Sequence, residues 1–398
     1  MLNLPVYLDN HSTTRVDPRV VAAMLPYFTE VYGNAASLSH RFGWQAAEAV
    51  DHAREQVADA IGAEAREIVF TSGATESNNL ALKGAAAHLR RRGNHLVTAA
   101  SEHQAVLDPL RRLAAEGWDL TVVPPDADGL VSADAIADAL TDRTALVSVM
   151  AANNEVGTLN PIGEIGRLCH AREIVFHSDA TQAIGKIPLH VLADSIDLLS
   201  LSAHKMYGPK GAGALYVRRR DPRVRLTPLF DGGGHERGLR SGTIAVPLVV
   251  GLGLAAELAV AERPEEAARL LALRERLHEG IAAEVDEIRL NGHPSLRLPG
   301  NLNLSFAFVE GESLMMAMRD VAVSSGAACT AADPEPSHVL LAMGLDEEMA
   351  RASLRFGLGR FNTEAEVDFA IGAVADAVAR LRRHSAAWTV RDASSPIH

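Results

Sequence analysis

Only two cysteines, Cys169 and Cys329, occur in the 398 residues. That scarcity excludes a disulfide-stapled scaffold and a zinc-finger set, and it is the cysteine usage of a reduced, cytoplasmic protein. Basic residues are outnumbered: 38 Lys and Arg against 50 Asp and Glu leave a net charge of −12. Such a chain is a poor partner for nucleic-acid phosphates, and attraction of that kind would be confined to a local patch such as 218–225. Long hydrophobic runs are missing as well. The most apolar stretch, 244–260, is rich in Ala and Gly and contains Pro247 and Glu257. It falls short of the roughly 20 apolar residues of a membrane span and reads as a buried helix. The opening MLNLPVYLDNHSTT has no basic segment followed by an apolar one, so no secretory leader is expected. Internal repeats and low-complexity tracts are lacking too. What remains, with 47 % hydrophobic and 22 % charged residues, is a globular chain long enough for two or more domains.

Short β-rich runs fall at 68–71, 95–99, 120–123, 146–150, 174–177, 198–202 and 214–217. Most set apolar residues side by side, as strands covered on both faces do. Helical stretches alternate with them at 45–61, 77–92, 105–116, 133–140 and 162–171. The alternation predicts an α/β fold with a mostly parallel, seven-stranded sheet between layers of helices. The texture changes near residue 262. Pro264 follows one helical run, and a second amphipathic helix is expected over 265–285. An apolar segment at 301–308, further helices and a terminal amphipathic helix over 364–381 complete the pattern. We therefore expect a large domain over residues 16–262. A smaller α+β domain would comprise residues 1–15 and 263–398, and the polar end, 385–398, would be loosely ordered.

In open parallel sheets, ligands collect outside the carboxyl ends of the strands. After the first run comes Ser72-Gly73-Ala74-Thr75-Glu76, a small-residue turn opening a helix. Its free N–H groups and the helix dipole suit a phosphate; the ordinary reading is a helix cap, with Thr75 as the capping residue. After later runs come Ser101-Glu102-His103-Gln104, Asn153-Asn154-Glu155, Asp179-Ala180-Thr181-Gln182 and Ser202-Ala203-His204-Lys205. Each has an ordinary reading as a loop or turn. Together they place a phosphate seat, a His, an Asn, an Asp, a Gln and a Lys at one edge. Pyridoxal 5′-phosphate needs that set: a Lys for its aldehyde, a carboxylate for its pyridine nitrogen, donors for its phosphate and a flat partner for its ring. Two Gly-rich pieces, 208–213 and 232–234, invite a nucleotide site, but neither has the P-loop pattern within a βαβ unit, and they read as turns.

Cys329 lies in Ser324-Ser325-Gly326-Ala327-Ala328-Cys329-Thr330-Ala331-Ala332-Asp333-Pro334, the composition of a mobile surface loop. A cysteine there is either an incidental surface residue or a reactive thiol. Cys169, inside a helical run, reads as core.

Phe70-Thr71-Ser72-Gly73-Ala74-Thr75-Glu76-Ser77, Asn153-Asn154-Glu155, Asp179-Ala180-Thr181-Gln182, Ala203-His204-Lys205-Met206-Tyr207-Gly208-Pro209-Lys210-Gly211, Arg237-Gly238-Leu239-Arg240-Ser241-Gly242-Thr243 and the Cys329 segment resemble the IscS/NifS-type cysteine desulfurases over about residues 5–383. These are class V, fold-type I enzymes dependent on pyridoxal phosphate. The resemblance implies a desulfurase that takes sulfur from L-cysteine, releases alanine and carries the sulfur as a persulfide. It implies that Lys205 binds the cofactor as a Schiff base and acts on the Cα proton. His103 would stack on the ring and serve in proton transfer. Asp179 would pair with the pyridinium nitrogen and Gln182 would reach the phenolic oxygen. Ala74, Thr75, Ser202 and His204 would hold the phosphate, joined by Thr243 from the neighbouring subunit of a homodimer. Asn154 and Arg355 would bind the substrate carboxylate, and Cys329, on a mobile loop over about 324–338, would attack the sulfur. No metal ligand is implied. The sulfur acceptor is left open among iron–sulfur scaffold proteins, tRNA-thiolation proteins and DNA-sulfur-modification partners, with no direct nucleic-acid or membrane partner. A selenocysteine lyase or another class V lyase would share the Lys205 site without needing Cys329. A non-catalytic sulfur-relay or scaffold protein would keep the fold alone. The chain departs from the family at His11 and Ser12, at Gln104, at Ala151 and Ala152, after Cys329, and in the tail from Trp388.

Overall fold

The computed structural model describes residues 2–325, 335–385 and 388–389. Residues 326–334 of the loop expected over about 324–338, Cys329 among them, and most of the tail expected to be loosely ordered lie outside the described residues; Ser324–Ser325 form a strand and His338 opens a helix. Strand β1 (Val6–Tyr7) is followed by the seven strands of the main sheet. These are β2 (Ile68–Thr71), β3 (His95–Ala99), β4 (Asp119–Val123), β5 (Thr144–Ser148), β6 (Val175–Asp179), β7 (Leu198–Ser202) and β8 (Gly213–Val217). Their order is β2-β8-β7-β6-β5-β3-β4, and only β8 runs against the rest. Six of the seven are therefore parallel, as the side-by-side apolar runs predict. Parallel strands must be covered on both faces. One face carries a core that includes Val97, Val147, Phe176, Leu199 and Tyr216, together with Cys169. The other packs Leu96, Leu146, Leu198 and Leu215 against Leu80, Leu82, Val106 and Leu110.

The rest of the chain builds an antiparallel sheet of β9 (Ile288–Leu290), β10 (Asn301–Phe306), β12 (Ser324–Ser325) and β13 (Ser353–Gly357), in the order β12-β13-β10-β9. Strand β11 (Val321–Ala322) pairs in parallel with β1, so the amino-terminal segment joins this half. Its core combines Val6 and Leu8 with Leu304, Phe306, Phe356, Val367 and Val374.

One helix connects the two halves, and here the structure corrects the sequence reading. Two helical segments meeting at Pro264 are expected; the chain instead forms one helix, Val246–Glu284, with Pro264 inside it. A proline there removes one backbone hydrogen bond and crowds the carbonyl four residues earlier. Pro264 is exposed, so that carbonyl sits on the solvent side. Each end is also anchored in a different core: Val249, Leu252 and Ala256 in the first, Leu270, Leu273, Leu277 and Ile281 in the second. The middle is tied by Arg360, whose guanidinium reaches Glu262 at 3.2 Å and Glu266 at 2.8 Å. Among the described residues, no helix is long and apolar enough to cross a membrane.

Candidate active site

Because six strands run the same way, their carboxyl ends lie along one edge, and a cavity of about 670 Å³ opens there. Of the described residues given a site role above, all but Thr243 line it. Thr243 is exposed and does not line the cavity of its own chain. Cys329 lies outside the described residues.

Lys205 closes a single helical turn, Ala203–Lys205, that follows β7 directly. Its Nζ donates to the Ser12 carbonyl at 2.7 Å and to the His11 carbonyl. Burial lowers the amine to about 8, Arg355 adds to the shift, and Asp9 and Asp179 oppose it. A lysine so tuned has a substantial neutral fraction near physiological pH, as a nucleophilic amine requires. Asp179 ends β6 and is buried. One of its oxygens accepts from Asn78 Nδ2 at 2.7 Å and the other from the Thr181 N–H at 2.9 Å.

The phosphate seat is a helix start. The helix Ala74–Leu89 begins one turn earlier than the sequence pattern suggests, and its capping residue is Gly73, not Thr75. Gly73 has φ of 152°, a conformation that excludes other residues at this position, and it makes no side-chain cap. Thr75 therefore stands in the first turn, its side chain free of capping duty. Ser202 lies opposite, its Oγ 3.9 Å from where a Cβ on Gly73 would sit, so a larger residue at 73 would narrow the seat. His204 contacts Thr13 Oγ1 through Nδ1 at 3.1 Å. Burial, with Lys205 and Lys210 nearby, lowers its pKa to about 4, which favours the neutral ring.

His103 caps the helix Gln104–Ala115: its Nδ1 accepts from the Ala105 N–H at 3.0 Å. That places the proton of the neutral ring on Nε2 at the cavity mouth. Gln182 is held on both sides. Its Nε2 donates to the His11 carbonyl at 2.8 Å and its Oε1 accepts from Lys186 Nζ at 2.8 Å.

Arg355 comes from β13 in the other half. Nη1 donates to the Asn154 carbonyl at 2.8 Å, and Nη2 meets Asp9 at 2.9 Å, Ser12 Oγ at 2.7 Å and Ser324 Oγ at 2.9 Å. Its Nε and the Asn154 side-chain oxygen are buried without protein partners among the described residues. Asp9, Ser12, Ser324 and Asn78 are the participants that sequence reasoning missed. Asn78 is four residues beyond Ala74, one helical turn on, which is a usable signal. Asp9 and Ser12 carry none, since they act on a strand more than 340 residues away.

The arrangement fits pyridoxal phosphate. A tuned amine, a buried doubly held carboxylate, an anion seat and unpaired donors and acceptors converge on one cavity. No group of His, Cys, Asp and Glu among the described residues could hold a metal ion.

Comparison with known proteins agrees with this geometry. Residues 6–369 match the family described as aminotransferase class-V. The chain is 59 % identical over 384 residues to a cysteine desulfurase IscS of Anaeromyxobacter dehalogenans (strain 2CP-C), covering 96 % of this chain and 95 % of that one. To the cysteine desulfurase IscS of Rickettsia akari (strain Hartford) it is 52 % identical, covering 97 % and 94 %. A solved NifS-like protein superposes with a TM-score of 0.88 at 38 % identity, over 94 % of this chain and 99 % of the other.

Proposed function

The chain belongs to the class-V aminotransferase family and is a pyridoxal-phosphate-dependent cysteine desulfurase, and from that premise we propose how its own residues divide the work. The observation that carries the assignment is the convergence of Lys205, Asp179 and Arg355, from two halves of the chain, on one cavity. Pyridoxal phosphate, when bound, supplies an electron sink for the substrate's Cα and Cβ. Lys205 would hold it, Asp179 would keep its ring nitrogen protonated, and Gln182 would donate to its phenolic oxygen. The first turn at Ala74 and Thr75, with Ser202 and His204, would hold its phosphate, and His103 would cover its ring.

Arg355 and Asn154 bind the carboxylate of L-cysteine, which orients Cα toward Lys205. A two-pronged guanidinium contact fixes direction as well as position. Lys205 takes and returns the Cα proton, and His103 Nε2 serves proton transfer at the mouth. The Cys329 thiolate attacks the substrate sulfur. The S–S bond forms as the substrate Cβ–S bond breaks, the bonding pair passes to carbon, and protonation there completes L-alanine. Cys329 is left as a persulfide for a sulfur-acceptor protein, such as an iron–sulfur scaffold.

We also propose that two chains complete each other's sites in the cytoplasm. Thr243 is exposed and does not line its own chain's cavity, as expected of a group lent to a partner. Apolar side chains at Leu25, Phe28, Tyr32, Leu38, Phe42 and Trp44 are exposed in the isolated chain, a patch of the kind that a second copy covers.

The test is alanine release from L-cysteine by the purified protein. Lys205→Ala is expected to abolish it and leave the protein without its visible absorbance. Cys329→Ser is expected to keep the absorbance and stop sulfur output. Full turnover by Cys329→Ser would show that another group receives the sulfur.

A further inference from the structure

A second lysine stands behind the cavity wall. Lys186 lies in the turns that follow β6, and its Nζ donates to Gln182 Oε1 at 2.8 Å. The same oxygen lies 3.3 Å from His11 Nδ1. On the other side, Gln182 Nε2 donates to the His11 carbonyl at 2.8 Å. The two ends of an amide are not equivalent, because the oxygen only accepts and the nitrogen only donates. A backbone carbonyl demands the nitrogen, and a lysine ammonium demands the oxygen. These contacts admit one orientation. Rotating the amide half a turn would set N–H against ammonium and carbonyl against carbonyl.

Two consequences follow. With Oε1 taken as an acceptor, the His11 nitrogen that faces it must carry the ring hydrogen. His11 Nε2 is then a bare acceptor, and it is buried with no protein partner among the described residues. The Gln182 nitrogen, for its part, has two hydrogens and spends one on His11. The second remains for the cavity that Gln182 lines. Lys186 does not line that cavity. It borders a separate one of about 20 Å³, with Asn10, Tyr207, Arg263 and Glu266. Its hydrogen bond to the site therefore runs through the residue it holds, and beyond that contact it adds only the field of its charge.

We propose that Lys186 is a positioning residue that locks the Gln182 amide with its free N–H toward the phenolic oxygen of the bound cofactor. The inference rests on the reading above that Gln182 reaches that oxygen. A donor held against a phenolate favours the ionised form, so the lock sets the ionisation of the bound chromophore. The charged groups acting on Lys186 are Lys205 and Arg355, which repel it, and Glu266, which attracts it. Burial is the largest influence and brings its amine to about 7. A neutral amine still has two N–H groups, so the contact to Oε1 survives loss of the charge.

The experiment is a pH titration of the visible absorbance of the holoenzyme, with pyridoxal phosphate affinity measured on the apo form. Lys186→Met keeps the length of the side chain and removes the donor. It is expected to raise the absorbance midpoint by roughly one pH unit and weaken pyridoxal phosphate binding about tenfold. Lys186→Arg, which restores a donor, is expected to return both toward wild type. Lys186→Gln, which offers Gln182 an amide that pairs either way up, is expected to give an intermediate rise without leaving the position empty. An unchanged midpoint in both Lys186→Met and Lys186→Gln, with Gln182→Leu raising it, would overturn the lock alone. So would Lys186→Met having its full effect in a Gln182→Leu background, since the effect would then be charge and not amide orientation. An unmoved midpoint in Gln182→Leu would instead overturn the contact between Gln182 and the phenolic oxygen.

Discussion

The two halves of the molecule hold their functional groups by different means. In the seven-stranded half, backbone position does the aiming. Asp179 is the last residue of β6, Ser202 the last of β7, and Ala74 and Thr75 open the helix after β2. Parallel register brings those ends to one edge whatever their neighbours are. In the four-stranded half, Arg355 sits in the middle of β13, where no strand end points it. Side chains hold it instead: Asp9, Ser12 and Ser324, plus the Asn154 carbonyl. A buried guanidinium without such partners would bear an uncompensated desolvation cost. The strand-end groups proposed to hold the cofactor thus owe their place to topology, with Gln182 held in addition by His11 and Lys186. The proposed carboxylate-binding group owes its place instead to a hydrogen-bonded network that single substitutions can reach.

The largest effect that would sharpen this contrast comes from that network. Arg355→Lys loses the fork and its hydrogen bonds, and is expected to lower kcat/KM for L-cysteine about 100-fold, mainly through KM. Asp9→Asn removes the charge partner only and is expected to cost about tenfold, again in KM. Neither is expected to change pyridoxal phosphate affinity. Steady-state kinetics beside a cofactor titration checks this, and a matching loss of cofactor binding would break the division between the halves.

A smaller effect probes the seven-stranded half. Burial favours the neutral amine of Lys205, so it is protonated below about 8 and free above it. The rate at which apoenzyme takes up pyridoxal phosphate should therefore rise about tenfold from pH 7 to pH 9 and then level off. A rise that continues toward pH 10.5, the ordinary lysine value, would show that the cavity does not tune the amine.

The smallest effect concerns the connection. Pro264→Ala restores a helical hydrogen bond in the shared helix and is expected to stabilise it by about 1 kcal/mol, with kinetics unchanged. Thermal unfolding measures this; a lower midpoint would mean that proline sets the angle between the halves.

Much of the first half was legible in the chain, because buried parallel strands announce themselves as apolar runs and ligand groups follow them within a few residues. The runs at 68–71, 95–99 and 198–202 coincide with β2, β3 and β7. The edges blur where the signal does. The run expected at 174–177 is β6 at Val175–Asp179, since an aspartate as the last strand residue looks like loop. Thr75 reads as a cap because threonine is a common one, whereas the chain uses a glycine whose backbone conformation is invisible in composition. The helix through Pro264 was hidden because a proline is read locally, while two distant cores anchor the ends of that helix.

Sequence by itself determined the alternating α/β plan, the strand ends that bear Asp179, Ser202 and Lys205, and the small-residue turn at Gly73, because each depends on spacing along a few consecutive residues. Tertiary structure alone decided which groups hold Arg355 and that His11 fixes which way the Gln182 amide faces. Those contacts join the segment at Asp9 and Ser12 to β13 and the turns after β6 to the segment at His11. Such pairs meet only after the chain has folded, and no local pattern encodes them.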